Sequence, residues 1–123
     1  MSTSIKVAVT TNFLESQSEP DACRFVFGYT IRISNNGDQS AQLKRRHWVI
    51  TDSNGKVQEV RGDGVVGAQP DLAPGEAFEY SSGAIIETPV GTMQGEYEML
   101  GADGQAFAAP IAPFTLAVPG ILQ

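Results

Sequence analysis

Apolar and polar residues alternate with a period of two along most of this chain. The clearest segment runs from Cys23 to Ile33, where every second side chain is apolar. Such side chains lie on one face of a β-strand, whereas an amphipathic helix needs apolar residues every three or four positions. The pattern therefore predicts an all-β chain, and no segment of it has the period of a helix.

Glycine, proline, asparagine and aspartate divide the alternating pattern into about seven short strands. They are predicted at residues 5–10, 23–33, 42–51, 56–61, 77–80, 93–100 and 105–116. Short strands with frequent turns are typical of an antiparallel β-sandwich of the immunoglobulin or fibronectin type III kind, and a small closed barrel is the alternative. We expect one domain over residues 1–123, since this length suits a single core.

The turn residues also predict how neighbouring strands pair. Turns around Gly37, Gly55 and Gly104 predict hairpins between the strands that flank them. The segment Ser81–Gly83 is predicted to end the fifth strand. Two prolines in the last strand predict that it lies at the edge of a sheet, because proline cannot donate a backbone hydrogen bond there.

The chain has 14 acidic and 8 basic side chains, which give a formal net charge of −6. A field of this sign repels nucleic acids and anionic membrane surfaces, so we expect neither as a partner. No apolar stretch approaches the roughly 20 residues that a membrane-spanning helix requires. We therefore expect a soluble, cytoplasmic protein without membrane insertion.

The residues that most often carry catalysis are few. The single cysteine, Cys23, cannot form a disulfide within the chain, and its place in an apolar alternating run predicts a buried, unreactive thiol. No Gly-x-Ser-x-Gly elbow, activated cysteine motif or acid pair of defined placement is present. We therefore predict that the protein is not an enzyme.

Three glycines, Gly62, Gly64 and Gly67, follow the fourth strand with the spacing G-x-G-x-x-G. A dinucleotide-binding site with this motif needs a helix directly after it, and two prolines oppose one here. A P-loop is excluded because no Gly-Lys-Ser or Gly-Lys-Thr follows. We interpret Arg61–Gly83 as a crossover between strands in which the glycines form tight turns, with a backbone-amide nest for an anion as the alternative.

Four consecutive residues of the third strand carry basic or imidazole side chains, namely Lys44, Arg45, Arg46 and His47. On a strand, Lys44 and Arg46 are expected on one face, with Arg45 and His47 on the other. One interpretation is a solvated strand face. The other is a local site for an anion or an acidic partner, formed together with Arg61 and the glycine loop.

Metal binding has little support in the sequence. His47 is the only histidine, so a zinc site is not expected. Weak binding of Mg²⁺ or Co²⁺ through Asp63 or the turn Asp52–Asn54 stays open, although neither has the spacing of a calcium loop. We predict no tightly bound cofactor.

Three segments together resemble the bacterial ApaG family. They are RFVFGYTIRISNNG, RHWVITDSNGKVQEVRGDGVVGAQPDLAPGEAFEYSSG and ETPVGTMQGEYEM. The resemblance extends from about Val7 to Leu116 and implies a fibronectin type III-like sandwich. It also implies an association with cobalt resistance and magnesium efflux, for which an indirect role suits a chain without a membrane-spanning segment.

The resemblance adds two further implications. Related domains in some F-box proteins and in a DNA polymerase δ-interacting protein resemble protein-interaction modules. The family's glycine motif corresponds to Gly62, Gly64 and Gly67, and it has prompted suggestions of nucleotide or pyrophosphate binding. The family supplies no established catalytic residues.

Our leading hypothesis is a small binding module that acts on divalent-cation homeostasis through another protein. The alternative is a direct binder of a pyrophosphate-containing nucleotide or a metal phosphate at the glycine loop. The candidate binding residues are Arg45, Arg46, His47, Trp48, Arg61, Gly62, Gly64 and Gly67. Homodimerisation through exposed edge strands is compatible with either hypothesis.

Overall fold

Eight β-strands form two antiparallel sheets that pack face to face in a computed structural model, which describes residues 4–120. The strands are β1 (Ile5–Phe13), β2 (Phe25–Asn35), β3 (Ala41–Asp52), β4 (Val57–Asp63), β5 (Asp71–Leu72), β6 (Ala77–Ile86), β7 (Val90–Gly101) and β8 (Ala106–Ala117). Two single 3₁₀ turns, Glu15–Gln17 and Pro20–Ala22, lie between β1 and β2. The predicted antiparallel β-sandwich is confirmed, with seven long strands and the two-residue β5.

The two sheets differ in width. The smaller sheet has the order β1-β2-β6, and the larger has the order β4-β3-β7-β8, with β5 paired to β3. The hairpins predicted at Gly55 and Gly104 are confirmed, since they join β3 to β4 and β7 to β8. The predicted edge position of the last strand is also confirmed, because β8 ends the larger sheet.

Side chains that face the gap between the sheets form one hydrophobic core. The largest fully buried apolar side chains include Phe27, Ile31, Ile33, Leu43, Ile86, Met93, Met99 and Leu116. Burying a side chain of this kind contributes about 1.5–3 kcal/mol, so the alternation of the strands accounts for the cohesion of the sandwich.

The chain changes sheets at Asn35. The predicted pairing of β2 with β3 across Gly37 is wrong, because the two strands belong to different sheets. The buried side chain of Asn35 donates from Nδ2 to the carbonyls of Gln39 and Leu72, each at 2.9 Å, and accepts from the Gly37 amide at 2.9 Å. One side chain thus satisfies the turn and ties it to β5 in the larger sheet.

Strand β6 does not end where the turn residues predict. It continues through Ser81–Gly83 to Ile86, so the predicted break is wrong. The opposing strand explains the continuity, since Gly28 lies opposite Gly83 and the hydroxyl of Thr30 bonds to that of Ser81 at 2.7 Å. Cross-strand pairing overrides the weak strand preference of these small residues.

The cysteine lies in the turn before β2. Cys23 is exposed and has a φ of 55°, in the left-handed region. Its amide donates to the Pro20 carbonyl at 3.0 Å, which closes the second 3₁₀ turn, and Glu19 pairs with Arg24. The predicted buried thiol is wrong, because β2 begins only at Phe25 and the alternation before it belongs to a turn.

Candidate functional site

The β3–β4 hairpin brings together most of the residues selected from the sequence. The register pairs Arg46 with Gly62 and His47 with Arg61, while Arg45 lies opposite Asp63. Residues that are separated by the turn at positions 52–56 therefore become neighbours across two strands. Gly64 follows directly after the end of β4, and Gly67 lies three residues further along the chain.

Trp48 belongs to the core and not to a binding surface. It is 2% exposed, and its ring packs against those of Tyr29, Tyr97 and Phe114 at centroid distances of 5.5, 6.4 and 5.9 Å. Trp48 is among the predicted site residues, but its buried side chain cannot contact a ligand at the protein surface. Its role is to hold the two sheets together.

A bulge in β3 sets which of the basic side chains face outward. Leu43 lies opposite Met99 and Arg45 opposite Glu98, which leaves Lys44 as an extra residue in β3. Beyond the bulge, Arg45 points away from the core whereas Arg46 lies on the face that carries Trp48. The predicted separation of Arg46 from Arg45 and His47 agrees with this arrangement. The bulge at Lys44 interrupts the alternation on which the predicted placement of Lys44 beside Arg46 depends.

Arg46 clamps the chain where it leaves β4. Its Nη1 donates to the carbonyl of Asp63 at 3.1 Å and to that of Gly64 at 2.9 Å. The guanidinium lies over Gly62, where an added Cβ would be 2.8 Å from Arg46 Cζ. Gly62 therefore makes room for the arginine that holds the following loop.

Gly64 begins a tight turn whose Val65 side chain packs into the core of the sandwich. Its φ is +66°, and an added Cβ would be 2.4 Å from the carbonyl oxygen of Ala68. Val65 and Ala68 exchange backbone hydrogen bonds of 2.8 and 2.9 Å around Val66 and Gly67, whose φ values of 42° and 81° define a type I′ turn. The Val65 side chain is fully buried in the core.

The amides of this loop are mostly engaged within the chain. The Gly64 amide donates to the Lys44 carbonyl at 2.9 Å, and those of Val65 and Ala68 donate to each other's carbonyls. An anion nest needs successive amides that point at a shared empty position. Three of the five amides from Gly64 to Ala68 have another acceptor, so the loop has the form of a structural turn.

A charged groove of about 310 Å³ runs beside the hairpin on the larger sheet. We use the name charged groove for the surface lined by Arg45, Arg46, His47, Arg61, Gly62, Asp63, Glu96 and Glu98. It combines residues of the predicted site with two carboxylates from β7. With three arginines and three carboxylates, its formal charge is balanced when His47 is neutral.

Carboxylates lie near the exposed arginines of the charged groove. Arg45 lies 3.4 Å from both Asp63 and Glu98, and Arg61 Nη2 lies 3.6 Å from Glu59. His47 Nε2 is 3.9 Å from the Glu59 carboxylate and has no hydrogen-bond partner. The arginine pairs are exposed and individually weak, so a partner of complementary charge can exchange with them.

Residues 4–120 contain no cluster of three or more His, Cys, Asp or Glu side chains placed to hold a metal ion. Within the same residues, no helix has the length and apolar character needed to cross a membrane.

Behind Arg46 lies a buried group of tyrosines. The hydroxyls of Tyr80 and Tyr97 are 2.5 Å apart, and both side chains are buried. Burial raises the pKa of Tyr80 to about 12 and also raises the pKa of Tyr97 and of Tyr29, while the Arg46 charge opposes each shift. The protonated tyrosines are therefore part of the folded structure.

Alkaline pH is expected to destabilise the protein through these tyrosines. An unfolded tyrosine loses its proton near pH 10, whereas Tyr80 in the folded chain keeps it to about pH 12. The free energy of unfolding is therefore largest below pH 10 and falls as pH rises toward 12, with a contribution from Tyr80 of about 1.4 kcal/mol per pH unit. Urea unfolding at pH 9, 10 and 11 measures this slope. Tyr80→Phe should make it shallower, and an unchanged slope would contradict the assignment.

The sequence did not single out Glu96, Glu98 or Val66 in this region. Glu96 and Glu98 reach the groove from β7, far along the chain, and no local pattern connects them with the hairpin. Val66 is 62% exposed at the tip of the turn, and its position between two glycines of the motif is the only local indication of it.

Comparisons of the sequence and of the structure with known proteins identify the same group of relatives. Residues 15–101 match a family model described as the ApaG domain. A protein ApaG from Ectopseudomonas mendocina is 58% identical over 119 residues, and one from Thiobacillus denitrificans is 59% identical; both alignments cover 97% of this chain and 94% of the relative. The crystal structure of a Bordetella pertussis protein described as ApaA superimposes with a TM-score of 0.92 at 52% identity, over 94% of each chain.

Proposed function

Since this chain belongs to the ApaG domain family, we propose that it is a small module that binds another protein. Family membership itself confirms the resemblance drawn from the sequence motifs. The proposed contact surface consists of the charged groove and the Val65–Ala68 turn that follows Asp63.

The exposed valine of the turn carries the proposal. Val66 is a β-branched residue with a positive φ, a conformation that costs roughly 1–3 kcal/mol, and it is 62% exposed. Asparagine or glycine would fit this turn position with less strain. Strain of this kind occurs preferentially at functional sites, and an exposed apolar side chain beside charged residues suits a protein contact.

The charged groove supplies the polar part of such a contact. The side chains of Arg45 and Arg61 are 63% and 70% exposed, and they pair only weakly with carboxylates of the same sheet. Arginine is enriched among residues that dominate protein–protein binding energies. We therefore propose a partner whose surface carries both acidic and basic side chains around an apolar centre.

Binding of a nucleotide or metal phosphate at the glycine loop is the less supported alternative. Such a ligand needs free amides or a site with a net positive charge. The amides of Gly64, Val65 and Ala68 have internal acceptors, and the cations of the charged groove face an equal number of carboxylates. Any effect on Co²⁺ or Mg²⁺ homeostasis is accordingly proposed to pass through the protein partner.

Replacing Val66 with asparagine tests the proposal by separating stability from binding. An Asn-Gly pair is the preferred centre of a type I′ turn, so Val66→Asn should raise the free energy of unfolding by about 1 kcal/mol. The same change should weaken partner capture. Capture is measured in bacteria with a photo-crosslinking residue at Asp63, whose side chain is 80% exposed in the groove.

The matched control carries the cross-linker at Asn54, an exposed residue in the turn at the other end of the same hairpin. We expect discrete adducts from position 63 that are absent at position 54 and are reduced by Val66→Asn and Arg61→Glu. Equal adducts from both positions, or adducts insensitive to both substitutions, would refute the proposed surface.

A further inference from the structure

The larger sheet extends beyond the smaller one on the side of β4. The inner face of β4 carries Gln58 and Val60, which lie opposite the inward residues Ile50 and Trp48 of β3. Among the described residues the smaller sheet ends at β6, which reaches Gln58 through the Ile85 carbonyl but leaves Val60 partly uncovered. Val60 is accordingly 38% exposed although it lies on the core side of its strand.

A groove of about 560 Å³ follows the uncovered edge of β6. We call it the edge groove; it is lined by Leu14, Gln17, Val26, Ile50, Gln58, Val60, Ser82, Gly83, Ala84 and Ile85. The lining residues from β2 and β6 lie on both faces of the smaller sheet, since Ala84 points inward whereas Val26 and Ile85 point outward. The groove therefore offers apolar contacts on both sides of one strand edge.

The backbone of β6 presents hydrogen-bonding groups along this groove. The Asn35 amide donates to the Glu76 carbonyl, and the Gln58 side chain donates to the Ile85 carbonyl at 3.3 Å from the other side. Even-numbered residues of β6 thus bond to β2, while Ser81, Gly83 and Ile85 direct their amides and carbonyls to the edge. Within residues 4–120, β6 pairs with β2 alone.

We propose that the edge groove binds an extended segment of a partner protein, which adds to the smaller sheet as a fourth strand beside β6. An added strand directs alternate side chains to opposite faces, where Val60 on one side and Ile85 on the other meet them. The proposal goes beyond the function proposed above, since no lining residue is shared between the edge groove and the charged groove.

Charge defines the chemistry of the added segment. The edge groove has no ionisable lining residue, which favours uncharged side chains in the middle of the segment. Glu79 and Glu87 flank the edge, and the whole chain has a net charge of −6. Glu87 forms an exposed ion pair with Lys56 at 3.0 Å, which is weak enough for a basic side chain of the segment to exchange with it. A segment with an apolar, β-branched centre and a lysine or arginine at each end is therefore complementary.

The same carboxylates disfavour a second copy of this chain as the occupant. Antiparallel pairing of two β6 strands centred on Gly83 would place Glu79 of each copy opposite Glu87 of the other. Like charges directly opposite each other destabilise a strand pair. A basic partner segment removes this repulsion.

The test uses the synthetic peptide Lys-Val-Thr-Val-Thr-Val-Thr-Val-Lys and amide NMR of the whole protein. We expect saturable shifts at Ser81–Ile85 and at Val60. Val60→Glu should weaken binding at least about tenfold, because it places a charge under the added strand. Val57→Glu is the matched control, since Val57 is an exposed valine on the outer face of the same strand and should leave the affinity unchanged.

A second pair of variants tests the role of the β6 backbone. Ser81→Pro removes an amide that faces the edge, whereas Ser81→Ala removes only the hydroxyl and keeps the amide. Ser81→Pro should abolish peptide binding and Ser81→Ala should preserve it. Absence of saturable shifts at β6, or equal weakening by Val60→Glu and Val57→Glu, would overturn the proposal. A concentration-dependent dimer that Ser81→Pro abolishes, without peptide binding, would replace it with self-association.

Discussion

Replacing Gly64 with alanine is expected to lower the free energy of unfolding by roughly 3 kcal/mol or more. The added Cβ would lie 2.4 Å from the Ala68 carbonyl oxygen, which is a backbone atom and already accepts from Val65. The φ of +66° at Gly64 adds the cost of a left-handed conformation. To relieve the clash between the added Cβ and the Ala68 carbonyl, the turn would have to open and the buried Val65 side chain would have to leave the core.

Gly67→Ala is the matched control within the same motif. Gly67 also has a positive φ, of +81°, but an added Cβ there would have nothing within 4 Å. Its replacement should cost only about 1–2 kcal/mol. Denaturant unfolding monitored by Trp48 fluorescence measures both variants. If the two variants were equally stable, close packing around Gly64 would not be the reason for that glycine.

Arg46→Met is expected to have the second largest effect, a loss of about 2 kcal/mol. The methionine keeps much of the apolar stem but removes the donors to the carbonyls of Asp63 and Gly64. The loop that follows β4 would lose its clamp, so amide exchange at Val65 and Ala68 should become faster. Urea unfolding and hydrogen exchange measure the two effects on one sample.

The neighbouring arginine is the control for charge. Arg45 is 63% exposed in its side chain and forms two ion pairs at 3.4 Å, so Arg45→Met should change the free energy of unfolding by less than about 0.5 kcal/mol. It should also leave exchange at Val65 unchanged. Equal destabilisation by Arg45→Met and Arg46→Met would show that the loss of positive charge, and not the clamp, is responsible.

Local patterns in the sequence predict the strands well because burial alternates along them. The run through Phe27, Ile31 and Ile33 lies in β2 as expected, and these side chains are buried. The errors arise where contacts between distant residues decide the structure. Asn35 redirects the chain to the other sheet through a bond to β5, and Ser81 stays in a strand because Thr30 lies opposite it.

The candidate site is predictable only as far as one hairpin extends. The turn at Gly55 brings the segment around Arg46 beside Gly62, which local reasoning can anticipate. The contribution of Glu98 depends on pairing with β7, and the bulge at Lys44 decides which basic side chains face outward. Neither feature has a local sequence signal, so the charge balance of the groove emerges only from the structure.

The glycine motif illustrates how one spacing can serve two purposes. In a nucleotide-binding loop, glycines let the backbone approach a phosphate. Here Gly62 accommodates the Arg46 guanidinium, and Gly64 accommodates the Ala68 carbonyl. Both close approaches are internal to the protein, and they position Val66 at the surface.

We conclude that Gly62, Gly64 and Gly67 have a structural role and do not form a phosphate-binding site. A residue-resolved amide NMR titration tests this most directly. Pyrophosphate and ATP are added separately to the whole protein, each with and without Mg²⁺. We expect the amides of Gly64, Val65 and Ala68 to show no saturable shift at millimolar ligand, because their acceptors lie within the chain. Saturable shifts confined to residues 61–68 would contradict the account and establish a ligand site at the glycine loop.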